Sequence, residues 1–230
     1  MTVPRIFRIA AVVTALLGAA ACSSRPPTPD WALEAQSASE RAVKAYLQGD
    51  TRVAEAEWRK AFAQVSATGQ PSQMARLALL QCAAQVAALE FTDCLHYQRY
   101  AAGAQPAEQA YARYLQVQHT AQDVALLPKA QQAMARQVLA GQAGQPAPAA
   151  EAALSQLTAA GVAVRAGHLE LAGVQQAVQL ASAQGWRRSV MAWLLLEQRL
   201  HQAEGNAAGV QAVELRLQVL QNAEVVSKKK

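Results

Sequence analysis

Histidine, cysteine and aromatic side chains are scarce here: four His, three Cys and 5% aromatics in 230 residues. The shortage excludes several chemistries at the level of motif. His96, His119, His168 and His201 lie in separate segments, and no two stand at the helical spacing of a metal-ligand pair. There is no glycine-rich phosphate loop and no Gly-x-Ser-x-Gly elbow. Carboxylates are dispersed, and Glu55 and Glu57, two apart on a helix, point to different faces. The chain therefore reads as a non-enzyme with no cofactor, metal or small-molecule substrate. Few aromatics with abundant alanine suit closely packed helices better than a β-sandwich. An excess of basic charge is also missing from the body. Setting aside Arg5, Arg8 and the terminal Lys228, Lys229 and Lys230, the remaining Lys and Arg balance the 16 acidic residues, so no nucleic-acid-binding stripe is expected.

No apolar run is long enough to span a bilayer. The longest, Ile9 to Leu17, follows Arg5 and Arg8 and has the length of a cleavable export signal. Ala19, Ala20 and Ala21 then precede Cys22, and the segment resembles a bacterial lipoprotein signal, with Ala19 where the family usually has Leu. That resemblance implies cleavage after residue 21, a diacylglycerol thioether on Cys22 and a fatty acid on its new amino group. Ser23, in place of Asp, implies the outer membrane, on its periplasmic face. An ordinary Ala-x-Ala signal cut at the same bond would leave Cys22 as a free thiol. Once Cys22 carries lipid, Cys82 and Cys94 remain as one pair in an oxidising compartment. An unbroken helix would hold them about 18 Å apart, whereas a disulfide needs Cα atoms within about 7 Å. A turn is therefore expected near Leu89 to Asp93, with Thr92 as the next N-cap. A metal site adding His96 to the two thiols is the alternative.

In chain order, residues 22–30 form a Pro-rich tether, which at about 3.1 Å per residue reaches roughly 25 Å from the lipid. A first helix runs to about Gln48, and a second carries Ala54, Trp58, Ala61, Phe62 and Val65 at helical spacing. Gly49-Asp50 with Ala54, Trp58 and Ala61 resembles the turn and second helix of a tetratricopeptide repeat, although Ala38, Arg41 and Ala42 replace the family's usual first-helix residues. Pro71 opens a segment in which Met74 to Ala88 is apolar on more than one face, as a central helix is. Shorter helices are expected over Cys94 to Ala101 and Ala107 to Gln118, then one from Ala121 or Pro128 to Ala140. Residues 141–148 form a Gly/Pro break between a helical region, 31–140, and a second one, 149–222, before a basic tail, 223–230. In the second region Leu154, Leu157 and Val164 precede Gly167; Leu171, Val174, Val178 and Ala181 follow it. Val190, Trp193, Leu194 and Leu200 then precede Gly205, and Val210, Val213, Leu217 and Leu220 form the last inward stripe. Ala172 takes the family's small position after Gly167.

The resemblance implies an all-α fold, a right-handed array of antiparallel helix hairpins with degenerate repeats. The implied function is that of an outer-membrane adaptor, held by its acyl chains and binding an envelope protein; similar lipoproteins serve secretion or pilus assembly, outer-membrane building or wall synthesis. A glycan-binding envelope protein, on peptidoglycan or polysaccharide, is the rival. Candidate partner-binding residues are Tyr97, Tyr100, Tyr111 and Tyr114, paired on helix faces near Arg99 and Arg113, with Trp186, Arg187 and Arg188. Each set has a packing alternative: tyrosines seaming one helix to the next, and a tryptophan closing the gap between hairpins. The Lys tail is either a solvated end or a contact to anionic headgroups.

Overall fold

The computed structural model describes residues 28–144 and 152–227. The signal, Cys22, residues 145–148 of the Gly/Pro break and Lys228 to Lys230 lie outside the described residues. Ten α-helices and no strand occur among the described residues. They are α1 (Asp30–Gln48), α2 (Thr51–Ser66), α3 (Pro71–Ala87), α4 (Leu95–Gln98), α5 (Pro106–Leu115), α6 (Lys129–Leu139), α7 (Ala153–Arg165), α8 (Leu171–Ala183), α9 (Arg187–Ala203) and α10 (Ala207–Ser227), with 3-10 turns at Ala101–Gly103 and Val124–Leu126.

Local chemistry explains the boundaries. Gly49 at φ +95° closes α1, where its N–H and that of Asp50 bond back to Tyr46 O and Ala45 O, and a side chain at that φ would be strained. Asp50 then caps α2 by accepting from Val53 N at 3.1 Å. Pro71 stands at the first turn of α3, where its missing N–H costs nothing. Two helix ends close the same way without glycine. Leu89 and Val117 take φ +58° and +59°, with the following amides bonding back to Gln85 O and Arg113 O. For this reason α5 stops at Leu115 and does not reach Gln118. The segment expected as one helix over Cys94 to Ala101 is the single turn α4 followed by a 3-10 turn. Its N-cap is Cys94 at φ +49°, not Thr92, whose hydroxyl instead donates to Gln85 Oε1 at 3.0 Å.

Helix α3 sits between two apolar clusters. Met74, Leu77, Ala84 and Ala87 face a cluster built from α1, α2 and α7 to α10. Ala75, Ala78, Leu79, Cys82, Ala83 and Val86 face one built from α4 to α7. Helix α7 also serves both, through Leu157 on one side and Ala159, Val162 and Ala163 on the other. The close approach of α7 to α3 needs Gly161, since a Cβ there would strike Val86 O and lie 2.8 Å from Val86 Cγ1. The Cys82–Cys94 disulfide, Cα atoms 5.4 Å apart, ties α3 to the chain entering α4.

The C-terminal half folds back on the end of α3. Trp193 Nε1 and Ser189 Oγ both donate to Ala87 O, at 3.0 and 3.2 Å, and so satisfy a carbonyl that a helix end leaves orphaned. Arg165 donates to Thr92 O and Leu115 O, at 3.4 and 3.3 Å. In an open solenoid each unit touches only its neighbours; bonds from α9 to the end of α3 close this body on itself. Among the described residues the most extensive helix packing is α8 on α9 and α9 on α10.

Candidate functional site

The tyrosines separate into different roles. Tyr114 is fully buried, donates to Gln131 Oε1 at 2.8 Å and meets the His119 ring edge-on at 5.3 Å. Tyr97 is buried too. Neither is open to a partner, because their helices are short and the second apolar cluster needs their rings. Tyr111 is half-buried and stacks on Tyr114 at 6.0 Å; burial pushes its phenol above the ordinary range. Tyr100 is half-buried against both apolar clusters. Arg113 belongs to this framework as well, pairing with buried Asp123 through Nε at 3.0 Å and through Nη2. That guanidinium, followed by bonds from Thr120, holds the Asp123 carboxyl well below the usual carboxylate range.

Arg188 is the hub of a clamp. Its terminal nitrogens reach Glu90 Oε1 at 2.9 Å and Thr51 Oγ1 at 2.7 Å, and its guanidinium lies 4.3 Å over the Tyr46 ring. The residues come from the starts of α2 and α9, the end of α1 and the turn after α3. Burial first, then Glu90, pushes the Tyr46 phenol upward, so it stays a neutral ring beneath a cation. Arg187 donates from Nε to Leu220 O at 3.3 Å. These two arginines, expected as a partner grip, join parts of the fold. Trp186 is half-buried at the start of α9 and lines an open cleft of about 410 Å³ with Glu40, Val43, Lys44, Leu80 and Leu154.

The repeat-defining residues Ala54, Trp58 and Ala61 are all buried, as close helix packing requires. Ala172 is exposed and does no such packing. His96 Nδ1 lies 2.7 Å from Gln81 Oε1, and with Cys82 and Cys94 bonded to each other the Cys-His metal alternative lacks its thiolates. No group of three metal-ligating residues occurs among the described residues, and no helix there is long and apolar enough to cross a membrane.

A surface that helical spacing did not single out is the outward face of α10. Val213 and Leu217 are buried against α9, and Val210 and Leu220 are half-buried. Opposite them Ala208, Ala212, Leu215 and Val219 are exposed, Leu215 at 59% and Val219 at 69%. Their four-three-four spacing is that of a helix-pairing seam. The signal was present in the sequence as a second stripe, hidden because a helix apolar on two sides reads simply as buried. No protein-family model, curated protein or solved structure matches this chain.

Proposed function

We propose that the protein is a periplasm-facing outer-membrane lipoprotein, acylated at Cys22, that acts as an adaptor for an envelope protein. The observation that carries the adaptor reading is the unpartnered seam on α10. Helices α8, α9 and α10 pack in sequence, each covering the apolar face of the one before, and α10 offers the next such face with nothing on it among the described residues. An amphipathic helix of a partner is the occupant that continues this packing. In this reading α8 to α10 are the array-like part of a degenerate tetratricopeptide-type repeat. The disulfide supports export, since such bonds persist in oxidising compartments. The acyl chains confine the body near its membrane, so that effective concentration supplements intrinsic affinity.

The seam side chains are aliphatic, which suits a helix better than a sugar ring, and Phe91 is the one aromatic among the large exposed apolar residues described. Photo-crosslinking in cells from Ala212, Leu215 and Val219 tests the proposal. One envelope protein recovered from all three, and lost in a Leu215→Glu, Val219→Glu variant that still folds, is the expected result. Glycan or lipid adducts alone would replace the adaptor with the carbohydrate reading.

A further inference from the structure

The geometry points to a second binding site, independent of the adaptor reading: we propose that the cleft between α3, α5 and the Val124–Leu126 turn takes a single-chain amphiphile with a terminal carboxylate. The cleft encloses about 450 Å³, within the range of small-ligand sites. Its walls are Leu79 and Leu80 of α3, Tyr111 of α5, and Leu126 and Leu127. By contrast, the void between α6, α7 and α8 is about 20 Å³, no more than a water's room.

Charge stands at one end. Arg76 donates through Nε to Glu108 Oε1 at 2.5 Å, and the other Glu108 oxygen accepts from Gln105 N at 2.6 Å. That pairing fixes the guanidinium plane. Nε makes the Arg76 hydrogen bond to Glu108; neither terminal nitrogen makes a hydrogen bond among the described residues, and the side chain is 60% exposed. Two parallel N–H groups on an oriented guanidinium match a carboxylate. Ala107, in the first turn of α5, lines the same cleft; the Glu108 carboxylate already caps that helix end, so Arg76 alone supplies the preference for an anion.

The walls decide between an acyl tail and a peptide. Two walls are helices and the third is the Val124–Leu126 turn, where Leu127 O already accepts from Gln132 Nε2 at 3.0 Å; Arg76, Glu108 and Tyr111 are the residues with polar side chains in the lining. A peptide would bury amides without partners there, at a cost for each, whereas an acyl chain has none to satisfy. Burial keeps Tyr111 protonated, which preserves a neutral wall.

Calorimetric titration of the full chain with decanoate, decanol and decyltrimethylammonium tests this. Decanoate should bind at one site, at least about tenfold more tightly than decanol, with the cation weaker still. Arg76→Gln should bring decanoate down to the affinity of decanol or below it, because the buried Glu108 carboxylate beside the cleft loses its partner, and leave decanol unchanged. Ala107→Phe, which retains the Arg76 pair on an exposed position, should abolish binding of both. Equal binding of decanoate and decanol, no binding of either, or an unaffected Ala107→Phe variant would overturn the site. Tighter binding of an Ala-Leu-Leu peptide with a free carboxylate than of decanoate would overturn the acyl assignment.

Discussion

Gly161 shows how far one missing methyl group shapes this protein. A Cβ there meets the Val86 carbonyl and side chain, so Gly161→Ala must push α7 off α3. Overpacking of this kind costs about 1 to 3 kcal/mol, against about 1 kcal/mol gained in helix propensity. The expected net is a loss of about 1 kcal/mol, read as a lower urea midpoint; a gain in stability would refute the close approach. Asp123 gives a pH test. Its carboxyl is held below the ordinary range, chiefly by Arg113, so its stabilising contribution is complete above about pH 4 and is lost as pH falls further. Asp123→Asn should therefore be less stable than the parent at pH 7, with the difference shrinking towards pH 2. A difference that stays constant across that range would separate Asp123 from the acid response. Arg113→Ala, which strands the buried carboxylate, should cost about 2 kcal/mol at pH 7.

Among the elements, the α3 to α4 connection is the most tightly specified. Its reversal uses Leu89 and Cys94 in left-handed backbone, a conformation that disfavours non-glycine residues by about 1 to 2 kcal/mol each, and the disulfide spans it. Reduction, or Cys82→Ala with Cys94→Ala, should lower unfolding stability by about 3 kcal/mol, measured by denaturant titration with and without reductant. An unchanged midpoint would mean that the Tyr97 and Cys94 packing holds the turn unaided. Once Cys22 was set aside as lipidated, the two remaining cysteines made this turn legible, because two thiols on one straight helix cannot meet. Nothing similar marked Val117, and helix α5 accordingly ended three residues before its expected limit. The Schellman closures at glycine were readable; those at Leu89 and Val117 carry no such residue signal, and both side chains pack against the apolar clusters.

For the whole molecule, the reading as an anchored lipoprotein depends on Cys22, outside the described residues. Cells fed radiolabelled palmitate should label the protein, and Cys22→Ser should abolish the label and move the chain from the membrane to the soluble fraction. Label persisting in Cys22→Ser would rule out acylation at that residue. Arg188, Ser189 and Trp193 bond to residues about a hundred positions earlier, contacts that the turns by themselves do not predict for an array of helix hairpins. The candidate site was legible only in fragments. Of the residues singled out by composition, Tyr97 and Tyr114 are core and Arg188 is a clamp. Tyr111 and Trp186 each line a cleft, and Leu80 lines both of these clefts.

Sequence by itself determined the helical class, most helix limits and the inward stripe of each C-terminal helix, and it made Cys82 with Cys94 the expected pair once Cys22 was taken as lipidated. These follow from local rules: apolar period, caps, proline and glycine at ends, and the reach of a disulfide. Tertiary structure alone decided which face of α3 meets which neighbour, that the C-terminal half caps the end of α3, and that Arg76 stands beside an apolar cleft. Periodicity reports that a face is apolar but carries no address for its partner. Contacts between residues far apart in the chain are chosen by shape and by the satisfaction of buried polar groups, which exist only once the helices are assembled.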